Sequence, residues 1–199
     1  MKTVAILCAR ADSIYKIIEG CDVFDAARDA RTFAGGMPVV AHAPCRAWGE
    51  LRHMARPRDG EMDLGLWCAD KVRENGGVFE HPKGSTLFTA AGLPHPGERD
   101  AAGGFTLAFP QMWFGHRAEK WSWFYVCGIS PAELPEMPFT LGEAPCIIGT
   151  PGRRADGSRL KRGDAGWRPE VTKREREATP PLLSAWLVET ARRCAAVTV

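Results

Sequence analysis

The sequence has 199 residues, of which 45% are hydrophobic, and its 26 Lys and Arg residues nearly balance 24 Asp and Glu residues. These values suit one well-buried globular domain over residues 1–199. No apolar run approaches the roughly 20 residues of a membrane-spanning helix, so we expect no membrane partner.

The cysteines and the start of the chain indicate the compartment. Seven cysteines are an odd number and show no C-x-x-C spacing, which favours neither a disulfide framework nor a zinc site. We therefore expect no metal. The apolar run at residues 1–7 is interrupted by Arg10 and Asp12 and is too short for a signal peptide. A reducing cytoplasm is the simplest expectation.

Strands and helices are predicted to alternate along the chain. The first half predicts strands over residues 1–7, 21–25 and 38–45, short helices over 11–19 and 26–33, and an amphipathic helix over 62–75. The second half predicts a strand at 78–80, an irregular connection over 84–104, a central strand at 121–129 and a helix that begins at Thr179-Pro180-Pro181. This order predicts a three-layer α/β sandwich with a largely parallel sheet.

Residues 151–177 form a basic stretch with nine Lys or Arg and five acidic residues. The stretch has four glycines and few aliphatic side chains, which is typical of a flexible loop. Two interpretations remain open: a solvated linker, or a flap that contacts phosphates.

A thiol follows the predicted strand at 38–45, in the sequence Ala43-Pro44-Cys45-Arg46. Proline fixes the backbone, and the arginine would favour the thiolate over the thiol, so Cys45 is a candidate nucleophile. A buried small hydrophobe is the alternative. We expect His42 to be structural, because strand alternation places it on the opposite face from Ala43.

Two further polar clusters accompany strands: Glu80-His81-Pro82-Lys83-Gly84-Ser85 and Gly115-His116-Arg117-Ala118-Glu119-Lys120. If the strands before Cys45 and Glu80 are neighbours, the two side chains face each other across one cleft. The third cluster precedes a strand and reaches that edge only if this strand is antiparallel or the loop folds back. A thiol opposite a carboxyl suits nucleophilic attack on a heterocycle with acid assistance.

Four motifs in order carry a family resemblance: Ala43-Pro44-Cys45, Glu80-His81-Pro82, Gly115 to Lys120 before Trp121, and Arg176-Glu177-Ala178-Thr179-Pro180-Pro181 before the last helix. The chain resembles the DNA cytosine-5 methyltransferases, and more closely the small methylase-like proteins of phages and prophages. The similarity covers about residues 38–130 and 172–194. It implies a Rossmann-like sheet of truncated methyltransferase type.

The resemblance also implies roles for individual residues. Cys45 would attack carbon 6 of a pyrimidine in DNA or a nucleotide, and Glu80 would hydrogen-bond ring nitrogen 3 and the exocyclic amine. A base in a duplex would first be flipped out. The implied substrate contacts are Pro44, Arg46, Trp48, His81, Ser85, His116, Arg117 and Lys120.

The cofactor implied by the resemblance is S-adenosylmethionine. The family has a glycine-rich loop after its first strand, whereas residues 8–13 here contain no glycine. Asp12, Ser13 and Asp25 are the candidate cofactor contacts. The sequence therefore leaves two functions open: an enzyme that modifies a pyrimidine at carbon 5, and a catalytically inactive relative that binds nucleic acid or a partner protein.

Overall fold

The computed structural model describes residues 1–149 and 152–195. One six-stranded sheet runs through this part of the chain in the order β2-β1-β3-β4-β6-β5. The strands are β1 (Val4–Leu7), β2 (Cys21–Val23), β3 (Val39–Ala41), β4 (Gly77–Pro82), β5 (Phe105–Pro110) and β6 (Trp121–Cys127). The helices are α1 (Glu61–Asn75), α2 (Leu87–Ala90), α3 (Lys173–Glu177) and α4 (Pro181–Arg193).

The sheet is mixed, so the prediction of a largely parallel, Rossmann-like three-layer sandwich of truncated methyltransferase type is wrong. β6 pairs antiparallel with both β4 and β5, and each of these ladders joins six residue pairs. The parallel ladders β1–β2, β1–β3 and β3–β4 join only three pairs each. The helices predicted over 11–19 and 26–33 are single 3₁₀ turns at Ile14–Ile17 and Ala30–Thr32.

Other predicted elements agree more closely with the structure. The amphipathic helix predicted over 62–75 is α1, and Gly76 follows its last residue. β5 was not predicted, and the connection over 84–104 contains α2. The strand predicted to reach Cys45 already ends at Ala41, so Cys45 lies in the turn beyond β3.

Two apolar clusters cover the two faces of the sheet. One contains Phe79 and the α1 residues Cys68 and Val72. The other contains Val78 and the α4 residue Leu187. β3 and β4 approach so closely that a Cβ on Gly77 would lie 1.9 Å from the Val39 carbonyl oxygen, and Gly77 has a φ of +133°. Only glycine fits there.

The basic stretch begins at Pro151, which lies outside the described residues. From residue 152 onward, its side chains form hydrogen bonds and ion pairs within the protein. Arg154 pairs with Asp164, and Arg168 donates to the Ala144 carbonyl. A short bridge joins Ile147 to Glu170. Within the described ranges, no helix has the length and apolar character to cross a bilayer.

Candidate active-site cleft

A cleft of about 1070 Å³ opens at one edge of the sheet. β3 and β4 are parallel neighbours, so the residues that follow β3 and those that end β4 meet there. β6 runs antiparallel to β4 and pairs Ser122 with Pro82, so the residues that precede β6 reach the same edge. Cys45, Glu80 and Lys120 all line this cleft.

Cys45 is exposed at the start of a tight turn. Its carbonyl accepts hydrogen bonds from the amides of Trp48 and Gly49, which fix the turn after Pro44. Although the residue is exposed, partial desolvation within the cleft and the negative charge of Glu80 raise the pKa of the thiol above its ordinary value of 9.0. Arg46 opposes this only weakly, because its guanidinium pairs with Glu61 at the start of α1. Arg46 thus favours the thiolate in direction, as predicted, but its effect is smaller than the opposing effects of desolvation and Glu80.

Glu80 is buried in a network of hydrogen bonds. Its Oε1 accepts from Ser122 Oγ at 2.6 Å and from Gln111 Nε2 at 3.0 Å, and its Oε2 lies 3.0 Å from His42 Nδ1. Burial alone would raise the pKa of this carboxyl, but the His42 bond and the Lys120 charge outweigh it and lower the pKa to about 2. Glu80 is thus an ionised acceptor at neutral pH rather than an acid.

His42 is a site residue that the sequence reasoning missed. The imidazole joins two groups, with Nδ1 on Glu80 and Nε2 2.9 Å from the hydroxyl of Tyr15. Tyr15 is almost fully buried and sits in the 3₁₀ turn after β1. Alternation does continue past β3: Ala43 joins Ala41 in the α1-side cluster, whereas His42 contacts Tyr15 of the α4-side cluster, so His42 lies on the opposite face from Ala43 as predicted. The sequence did not show that this face also presents Glu80 to His42. The available signal for His42 in the sequence was its position directly after a buried strand, where an Asp, Glu or His often belongs to a site.

Lys120 brings a cation to the cleft from an unusual backbone conformation. Its φ is +34°, and Cys8, with a φ of +60°, is the one other non-glycine residue in the described ranges with a positive φ. Both residues line the cleft. Such conformations cost about 1–3 kcal/mol and concentrate at functional sites. Burial lowers the pKa of the Lys120 ammonium, although the charges of Glu80 and Cys45 oppose the shift.

Three of the implied substrate contacts, Trp48, His81 and Ser85, lie outside the cleft. Trp48 is buried in the α1-side core. Ser85 is buried and accepts a hydrogen bond from the Leu87 amide. His81 is fully buried, and strand alternation places it on the sheet face opposite Glu80. It stacks on Phe79, and neither ring nitrogen has a hydrogen-bond partner within the described part of the chain. Burial lowers the pKa of His81 to about 4.

The third motif contributes Lys120 to the cleft but not its other predicted contacts. His116 is buried and bonds the backbone of Ala118 and the Glu175 carbonyl. Arg117 points to Glu175 and Cys146 Sγ. These two side chains hold the loop against α3.

The candidate cofactor residues do not converge on one place. Asp12 and Ser13 line the cleft, whereas Asp25 does not. The Asp25 carboxylate accepts from Lys16 and from the amides of Ala27 and Arg28. The Ser13 hydroxyl accepts from the Tyr15 amide.

Asp12 is also occupied, since it pairs with Arg10 and Arg174. A second bond from Arg10 reaches Glu177, so an ion-pair cluster fills the end of the cleft after β1. As a set these residues do not fit S-adenosylmethionine, because Asp25 lies outside the cleft and the segment after β1 has no glycine at which a cofactor could approach the backbone.

The cleft lining carries more positive than negative side chains. Eight Lys or Arg residues line it, against five Asp or Glu residues. The cations are Arg10, Arg46, Arg52, Lys83, Lys120, Arg168, Arg174 and Arg176. A concave surface with this excess attracts anionic ligands such as phosphates.

Within the described ranges, no three His, Cys, Asp or Glu side chains are grouped as metal ligands. Comparison of the chain with protein-family models, curated proteins and solved structures finds no match.

Proposed function

We propose that the protein is an enzyme that acts on carbon 5 of a pyrimidine base in DNA or a nucleotide, with Cys45 as the nucleophile. One observation supports this most: a thiol, an ionised carboxylate and a half-buried amine from three distant segments line a single cleft. The positive lining suits a substrate that carries phosphate.

Each of the three groups has a part in the proposed reaction. Lys120 lines the cleft with Cys45, and its positive charge lowers the pKa of the Cys45 thiol, so it favours loss of the thiol proton to water. The sulfur then bonds to carbon 6, and the electron pair of the carbon 5–carbon 6 double bond takes a solvent proton at carbon 5. Glu80, held ionised, accepts a hydrogen bond from an N–H on the ring edge.

The reverse step restores the base. The original carbon 5 proton leaves to water, its electron pair re-forms the double bond, and the sulfur departs as a thiolate that takes a proton back from water. The net change is exchange of hydrogen at carbon 5, which needs no second substrate. Because the candidate residues for S-adenosylmethionine do not fit it, the proposed reaction contains no methyl transfer.

Hydrogen exchange tests the proposal directly. Pyrimidine nucleotides and single strands labelled with tritium at carbon 5 are incubated with the protein, and release of tritium into water is measured. We expect release by the wild-type protein and its loss in Cys45→Ser. Cys21→Ser is the matched control, since Cys21 is a free, half-buried thiol on β2 that does not line the cleft.

No release from any labelled pyrimidine by the folded wild-type protein would sink the enzymatic proposal. Strand binding without exchange would then favour the alternative of a catalytically inactive nucleic-acid-binding protein.

A further inference from the structure

A second, smaller groove lies beside the cleft. Its volume is about 260 Å³, and it is lined mainly by apolar and aromatic side chains. Trp121 and Glu119 line both the groove and the cleft, so the two spaces are continuous across the Trp121 indole. The groove walls include Trp113 and Phe139, whose rings meet edge to face at 4.7 Å.

The aromatic surface between the two spaces is open to solvent. Trp121 is 42% exposed, and Phe139 is 64% exposed. Most other aromatic side chains of the sheet are buried, including Phe124 and Tyr125 on the same strand. Exposed aromatic rings beside a reactive cleft are the elements from which stacking platforms for bases are built.

A cation accompanies this aromatic surface. The Lys83 ammonium lies 4.9 Å from the centre of the Trp121 ring, and Lys83 also lines the cleft. Within the described residues, no carboxylate forms an ion pair with Lys83. A solvent-exposed indole can stack a base, and an ammonium this close to the ring can contact the adjacent phosphate.

We propose that this groove holds the base next to the target base, so that the substrate is a single-stranded nucleic acid rather than a free nucleotide. The inference rests on the proposed function, because the target base occupies the Cys45 cleft. The neighbouring base stacks on Trp121, and the phosphate between the two nucleotides lies near Lys83. Glu119, the acidic residue of the groove, can accept a hydrogen bond from an exocyclic amine.

Strand binding is measured by fluorescence anisotropy with a labelled pyrimidine single strand, which requires no catalysis. We expect Trp121→Ala to weaken binding about tenfold, the loss typical of one stacked base, and Trp121→Phe to keep most of the affinity. Lys83→Ala should reduce the salt dependence of binding by about one phosphate contact. Thermal unfolding checks that each variant is folded.

The chain offers a matched control for the Lys–Trp pair. On α1, the Lys71 ammonium lies 5.7 Å from the Trp67 ring, away from both spaces. Lys71→Ala should leave strand affinity and its salt dependence unchanged. Equal effects of Lys71→Ala and Lys83→Ala would overturn the inference, because they would show only a general loss of positive charge.

The inference and the proposed function can fail separately. Tritium release from free nucleotides as efficient as from strands, with no effect of Trp121→Ala on either, overturns the inference and leaves the function standing. Tighter binding of strands than of nucleotides, lost in Trp121→Ala but without tritium release, supports the groove and contradicts the function. A change of sedimentation mass in Trp121→Ala with unchanged strand binding would assign the groove to self-association and overturn the inference.

Discussion

The polar side chains at the ends of β3 and β4 are largely buried, whereas those that follow β1 are more exposed to solvent. The side chains of His42 and Glu80 are only 14% and 11% exposed, and they share buried hydrogen bonds. Arg10 and Asp12 form their ion pair at 33% and 43% exposure. Both regions line the same cleft. Because hydrogen bonds and charges matter more where water is excluded, we expect stability and chemistry to depend on the first region.

The largest effect should come from Glu80→Ala. This change leaves His42, Gln111 and Ser122 without their shared acceptor and leaves the Lys120 charge without its neighbour. We expect the free energy of unfolding to fall by about 3–5 kcal/mol, as when one partner of a buried charge pair is removed. Urea denaturation measures the loss.

Glu80→Gln is the control for this change, because the amide keeps the shape and one acceptor oxygen. It should cost less stability than Glu80→Ala. If Glu80→Ala is no more destabilising than a surface substitution, the buried network does not support the fold as we describe it.

Acid should destabilise the protein in two steps. The pKa of His81 falls from 6.5 to about 4 on folding, and that of Glu80 falls from 4.5 to about 2. The pKa of each group is lower in the folded protein than in the unfolded chain. Each group's contribution to the free energy of unfolding is therefore complete above its unfolded-state pKa and is lost as the pH falls through its folded-state pKa. A shift of this size corresponds to about 3 kcal/mol for each group. Unfolding followed between pH 7 and pH 2 measures both steps.

His81→Phe separates the two steps. We expect the variant to lose the decline between about pH 6.5 and pH 4 and to keep the decline below pH 4.5. An unchanged pH profile in His81→Phe would show that another group causes the first step.

The smallest effect should come from Asp12→Ala in the exposed cluster. Arg10 keeps a bond to Glu177, and Arg174 is free to turn into solvent. Exposed ion pairs contribute little and are screened by salt. We expect the midpoint of urea unfolding to change little at low salt and not at all at high salt. A loss comparable to that of Glu80→Ala would remove the contrast between the two regions.

The sequence predicted the elements whose signals are strong and local. α1 was predicted to within one residue at its start, because its apolar residues recur with the helical period and Gly76 follows it. In the segment predicted as a helix over 11–19, Ser13 caps only a single 3₁₀ turn, because Gly20 and the next strand leave no room for more. Segments this short gain too few hydrogen bonds to form a helix without tertiary support.

The site was predictable only where strand ends indicate it. Cys45, Glu80 and Lys120 were singled out because each lies next to a predicted strand. The sequence does not predict the hydrogen-bond network around Glu80, because Gln111 and Tyr15 lie in turns whose positions depend on tertiary packing. β5 was missed because it emerges from a Gly- and Pro-rich connection and ends in Pro110, which an edge strand tolerates.

Two long-range hydrogen bonds between the cleft and the region of α3 have a consequence for folding kinetics. Arg10 bonds Glu177 across 167 residues of sequence, and Lys120 bonds the Ala178 carbonyl across 58. Contacts between such distant segments form only after the intervening chain has been ordered, and folds rich in them form slowly. We therefore expect the sheet to be paired before the cleft closes. In a refolding experiment, the cleft would be the last part of the protein to acquire its native shape.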